Sequence, residues 1–215
     1  MSAASEPSDA AGLSMAAYCD EIARWALPEA AAPLIAAGLQ AATARRLLRA
    51  PRLSGRASAL LAARLGRGEP DTLAEADRRL VLASPRTLDR VAVLAGAVWH
   101  APRVRALVLA QDVETFVAAL GEDARDAALR HAALAPAAGN ATPADGLEAA
   151  IRRDGAACLS AWIDSLPGWA SGRMRLRWTA PDMGADGRLD GGPDRLADDP
   201  ALRARAAGIV RAVQP

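Results

Sequence analysis

The chain has 215 residues, 52% hydrophobic and 24% charged, which is enough apolar material for a sizeable core and too much for wholesale disorder. Its 26 basic and 25 acidic residues leave a net charge of +1, which opposes a nucleic-acid binder driven by bulk electrostatics. Two cysteines, Cys19 and Cys158, do not make a disulfide scaffold and point to a reducing compartment.

Every basic residue is arginine and about a quarter of the chain is alanine, a bias we read first as GC-rich coding. Both residues favour helix. Residues 1–10 are small and polar and are expected to be disordered. They carry acids where a secretory signal needs positive charge before an apolar run. From Leu13 to Trp25 the apolar spacing is helical, with a stop at Pro28. A second helix is expected from Glu29 to Ala50, tolerating Pro33 near its first turn. A third covers Ala57 to Leu65, and a fourth starts after Asp71 as N-cap and ends near Ala83.

The middle of the chain is the most regular. Ser84-Pro85 reads as N-cap and first helical residue, and Leu88, Val91, Leu94, Ala95, Val98 and Trp99 form one apolar face. The apolar stretch Val91 to Trp99 is far shorter than the ~20 residues a membrane-spanning helix needs. Pro102 restarts the chain into Val104, Leu107 and Val108. Asp112 is expected to cap a helix carrying Val113, Phe116, Val117 and Leu120, closed by Gly121. A short helix follows from Glu122 to Leu134.

Residues 136–144 read as a loop or linker between an N-terminal helical region, 11–135, and a C-terminal one, 145–215, packed as one domain. Asp145 with Glu148 resembles a capping box. The helix beyond it carries Ile151, Cys158, Leu159, Trp162 and Ile163. Gly155 on the same face permits close helix approach, and Pro167-Gly168 ends the helix. Arg173 to Thr179 then alternates basic and apolar residues. That predicts a short strand-like segment with Met174, Leu176 and Trp178 inward and Arg173, Arg175 and Arg177 outward. Residues 180–198 are expected to form a flexible loop, and Asp199-Pro200 starts a terminal helix. The fold class is therefore all-α, with one strand-like piece.

Little in the sequence points to catalysis. The two histidines, His100 and His131, fall on different helices, and Cys158 lies on an apolar face, where a buried, inert thiol is expected. No nucleophile elbow, phosphate loop or dinucleotide fingerprint occurs. A calcium reading of the Asp182–Asp194 loop fails in both registers, because Gly184 or Arg188 takes the third ligand position and Pro193 or Ala197 the twelfth. No cofactor, metal or enzyme activity is expected. Two clusters suit protein–protein contact instead, because Trp and Arg dominate such sites. One is Trp99, His100, Arg103 and Arg105. The other is Trp169, Arg173, Arg175 and Arg177.

Two segments resemble a family. Leu94-Ala-Gly-Ala-Val-Trp-His100-Ala-Pro-Arg103-Val-Arg105, followed by Val113 to Leu120-Gly121, resembles the central motif of the SctK/YscK class, the accessory proteins of the type III secretion sorting platform. Asp154-Gly-Ala-Ala-Cys158-Leu159-Ser-Ala-Trp162-Ile-Asp-Ser-Leu166-Pro167, running into Arg173-Met-Arg175-Leu176, resembles the same family's Cys-Leu and Trp helix, its Leu-Pro stop and its Arg-x-Arg-Leu piece. Together they cover roughly a quarter to a third of the chain. The resemblance implies a cytoplasmic, helical, non-enzymatic adaptor at the inner-membrane base of the apparatus. It would join the cytosolic domain of an SctD-like ring protein to an SctQ-like pod protein, with no nucleic acid and no membrane insertion. Such a linker needs two faces, and the two clusters are the candidates. A secreted substrate or chaperone of the same system remains an alternative. So does an unrelated small helical enzyme or ligand-binding protein with a pocket near His100 or His131.

Overall fold

The computed structural model describes residues 13–136, 146–179 and 199–214. The expected N-terminal disorder, most of the 136–144 loop, Asp145 of the capping box and the 180–198 loop with its failed calcium registers lie outside the described residues. Among those described, every regular element is helical: α1 Met15–Asp20, α2 Ile22–Trp25, α3 Pro28–Ile35, α4 Ala41–Arg49, α5 Ser54–Leu65, α6 Glu75–Leu82, α7 Pro85–Trp99, α8 Ala101–Arg105, α9 Ala110–Leu120, α10 Glu122–Arg130, α11 Leu147–Ser165, α12 Gly168–Arg177 and α13 Pro200–Ala212. The all-α expectation holds.

Several start signals act as read. The Ser84 hydroxyl accepts from the Thr87 N–H at the start of α7, and the Asp199 carboxylate accepts from the Ala201 and Leu202 N–H groups at the start of α13. Gly121 follows α9 with φ +91°, a conformation that costs a residue with a Cβ. Other boundaries move. The expected helix over 29–50 is two helices, broken between Ile35 and Ala41, where Gly38 has φ +74°. Asp71 does not cap α6. It sits in a 3-10 turn, Pro70–Thr72, and α6 starts three residues after that turn, from Ala74 as N-cap. Likewise Leu109, not Asp112, is the N-cap residue of α9.

The largest correction concerns 173–179. Arg173 to Arg177 belong to helix α12, not to a strand. Met174, Leu176 and Trp178 are buried as expected, but so are Arg173 and Arg177, while Arg175 is exposed. In a helix Arg173 and Arg177 share one face with Trp169, and that face points inward.

Two cores result. The larger is built from α7, α10, α11, α12 and α13 and centres on Leu88, Val91, Ile151, Leu159, Trp162 and Ile209. The smaller joins Ile22, Ala31, Leu48 and Leu61 of α2–α5 with Leu176 of α12. Helices on both sides of residues 136–144 share the larger core. Helix α12 contributes to both cores. The Leu27 N–H also donates to the Leu176 carbonyl, at 2.7 Å.

Candidate functional site

Helices α7 and α11 cross in backbone contact. A Cβ built on Gly96 would lie 2.0 Å from the Ile151 carbonyl oxygen, and one on Gly155 would lie 2.0 Å from that of Ala92. Only glycine fits on either side. The close approach expected at Gly155 is present, and its partner is Gly96. One turn beyond Gly96, His100 ends α7 and leads into α8, its N–H donating to the Gly96 carbonyl. The imidazole Nε2 meets Asp154 Oδ2 at 2.7 Å, and Arg153 Nε donates to Asp154 Oδ1 at 2.9 Å. Burial alone would raise the Asp154 carboxyl. The hydrogen bonds from His100 and Arg153 outweigh it and hold the group below the usual carboxylate range. His100 is thus one half of a joint between helices, and Cys158 lies one turn along α11 from Asp154. Burial, reinforced by the Asp154 charge, pushes the Cys158 thiol far up, so it stays protonated and unreactive. Burial raises the Cys19 thiol as well.

The first candidate cluster surrounds this joint. Trp99 is half-buried against the larger core, Arg103 is half-buried and Arg105 is exposed. The chain then leaves α8, and the next residues form a feature that periodicity missed. Val108 and Leu109 are 84% and 64% exposed. Their signal is present in hindsight: Leu107, Val108 and Leu109 are three successive apolar residues outside any helix, and they cannot all face one core. Beside them Leu107, Phe116, Leu120 and Leu147 line a groove of about 320 Å³ with Asp112 and Glu148 among its walls.

The second cluster is internal. Arg173 donates through Nη1 to the Gly66 and Trp169 carbonyls, both at 3.1 Å, and through Nη2 to the Cys19 carbonyl at 3.2 Å. Its guanidinium carbon lies 5.5 Å from the Trp169 ring centroid. Arg177 donates to the Val81 and Leu82 carbonyls. Apart from Trp169 in the first turn of α12, these acceptors lie in or just past the last turns of α1, α5 and α6, where helix carbonyls lack partners and the dipole favours a cation. Trp169 completes the plug, donating from Nε1 to Thr72 Oγ1 at 3.0 Å and meeting Tyr18 edge to face. Trp169, Arg173 and Arg177 are therefore buried rather than outward and hold the fold together. Only Arg175 reaches solvent, in an exposed pair with Asp164 at 2.6 Å. Sequence reading also missed a buried carboxylate. Asp77 accepts from Trp162 Nε1 and Arg211 Nε, each at 2.8 Å, and ties α6, α11 and α13 together.

Among the described residues no group of three or more His, Cys, Asp or Glu is placed to hold a metal ion, and no helix is long and apolar enough to cross a membrane. His131 lies just after α10, away from the His100 joint in sequence, and contributes no ion pair among those described.

No family model matches the chain, and no solved structure matches it. Over 145 residues it is 34% identical to nodulation protein NolU of Rhizobium fredii, an alignment covering 65% of this chain and 63% of that protein. Nodulation protein NolU of Sinorhizobium fredii (strain NBRC 101917 / NGR234) matches equally, at 34% over the same length. The match thus spans less than two thirds of the length of these relatives.

Proposed function

We propose that the chain is a non-enzymatic adaptor of a bacterial type III secretion sorting platform, joining the cytosolic domain of an SctD-like ring protein to an SctQ-like pod protein. The observation that carries this reading is the α7–α11 joint. The two segments that resemble SctK-class proteins, Leu94–Arg105 and Asp154–Leu166, pack on each other through Gly96, Gly155, His100 and Asp154. Two motifs distant in sequence are thus parts of one structural unit. Similarity to a bacterial nodulation protein fits a role in an apparatus aimed at a host.

On this reading the partner-binding face includes Trp99, His100, Arg103 and Arg105 and extends to Val108 and Leu109. An apolar pair beside an arginine is the composition of an interface core. Arg175 is the remaining exposed member of the second cluster and serves at a rim. The adaptor works on the cytosolic side, peripheral to the inner-membrane base.

The test is affinity capture of the tagged chain from bacteria that make a type III apparatus, with partners identified by mass spectrometry. Recovery of both the pod and the ring protein is expected. Recovery of neither, from cells in which the assembled apparatus is detected, contradicts the reading.

A further inference from the structure

We propose that the α4–α5 hairpin is a docking surface for an anionic phospholipid bilayer. The inference does not rest on the adaptor reading. Residues 36–68 hold seven arginines and no aspartate or glutamate, and without them the rest of the chain is net acidic. The near-neutral total thus conceals a strongly polar distribution of charge.

The helices dictate where these arginines go. Helix α4 buries Ala44 and Leu48, which leaves Arg45, Arg46 and Arg49 in solvent. Helix α5 buries Ala57, Ser58 and Leu61. Its outer ridge runs Leu53, Arg56, Leu60, Arg64 and on to Arg67, at intervals of three and four residues. Leu53 and Leu60 are 38% and 37% exposed. Arg52 stands in the turn between the helices, also exposed. Arg45 pairs with Glu29 at 3.1 Å, both half-exposed. Arg46, Arg49, Arg52, Arg56, Arg64 and Arg67 have no ion pair among the described residues. Elsewhere several exposed arginines find carboxylates, as Arg24 with Glu21, Arg79 with Glu75 and Arg152 with Glu148. Exposed arginines without an ion pair among the described residues also occur singly elsewhere, as at Arg86, Arg105, Arg130 and Arg203, but only this hairpin gathers them in a stretch with no acidic residue.

The chemistry of the face selects its occupant. Residues 36–68 contain no aromatic residue. A single-stranded nucleic acid would want stacking platforms, and a protein partner would want aromatic anchors. Guanidinium groups spread over two short helices match an array of phosphates, each able to accept two parallel hydrogen bonds. Two leucines among them suit shallow contact with the acyl boundary, and clusters of four to eight basic residues on an exposed helix are what anionic lipid attracts. The docking is peripheral, because no described helix is long and apolar enough to span.

The test is flotation of the full chain with vesicles of one part phosphatidylglycerol to three parts phosphatidylcholine, against phosphatidylcholine alone, at about 0.1 M salt. Binding to the anionic vesicles only is expected, with loss on raising salt severalfold. The variant Arg46→Glu/Arg49→Glu/Arg52→Glu/Arg56→Glu should bind about 100-fold more weakly or worse. A charge-matched variant, Arg79→Glu/Arg86→Glu/Arg130→Glu/Arg203→Glu, should bind within about threefold of the parent at this ionic strength. Circular dichroism of both variants checks that they remain folded. If both lose binding equally, bulk charge is responsible and the proposal fails. It also fails if the parent ignores anionic vesicles, whether or not it binds a DNA duplex or an acidic protein under the same conditions. Because the adaptor reading is tested by capture of its two protein partners, either can fail without the other.

Discussion

Two regions of the molecule solve the same problem, joining helices that the chain brings from far apart, by opposite means. At the α7–α11 crossing, side chains are removed: Gly96 and Gly155 let backbones touch. Around α12, long side chains are inserted: Arg173 and Arg177 thread inward and satisfy carbonyls at the ends of three other helices. The first joint has no room for an added atom. The second fails if atoms are taken away, because it is held by charged hydrogen bonds whose acceptors would be left dry. A substitution that enlarges a residue should therefore damage the first region most, and one that shortens a residue the second.

The largest expected effect is at the glycine crossing. Gly155→Leu should cost more than about 3 kcal/mol or prevent folding, read by urea denaturation, because the new side chain meets the Ala92 carbonyl and backbone cannot yield cheaply. Next comes Arg173→Met, which keeps the apolar stem and removes the donors to Cys19, Gly66 and Trp169. A loss of about 2–4 kcal/mol is expected, against less than about 0.5 kcal/mol for the exposed Arg175→Met two residues on. If the two arginine variants were equally stable, the buried plug would be of no consequence.

A smaller effect sharpens the contrast between the joints through pH. The Asp154 carboxyl is held below its ordinary range in the folded chain. Its contribution to stability is therefore complete above the unfolded carboxyl's pKa and is lost as pH falls through the folded value. Asp154→Asn should be less stable than the parent near pH 7 and should lose less stability on acidification. Melting temperatures of parent and variant across the acid range check this, and parallel curves would contradict it.

Much of the helical framework was legible because caps and periodicity act locally: Ser84-Pro85, Asp199-Pro200 and Gly121 each mark a boundary that the structure keeps. The failures have physical causes. Over six residues, Arg173 to Trp178 alternate strictly, and the helical reading emerges only once Arg173 and Arg177 are allowed to face inward. What decides is that Trp169 and Ala170 lie one turn earlier and are also buried, so the run continues a helix begun at Gly168. Pro167-Gly168 ends α11 but also starts α12. The break between α3 and α4 hid in an alanine-rich stretch with no period to interrupt. The burial of Arg173 was invisible because the carbonyls it serves come from residues about 100 and 150 positions away. In the candidate site, Gly155 signalled a close approach, but its partner Gly96 and the pairing of His100 with Asp154 required the tertiary arrangement. The exposure of Val108 and Leu109 required knowing where α8 stops.

The most direct test of the account compares the parent chain with Val108→Asp/Leu109→Asp in the capture experiment. These side chains already stand in solvent, so the variant should keep the parent's melting temperature within a few degrees. The account predicts that the parent recovers both the pod and the ring protein and that the folded variant loses one and keeps the other. A folded variant that recovers both, or a parent that recovers neither from cells with an assembled apparatus, would contradict it.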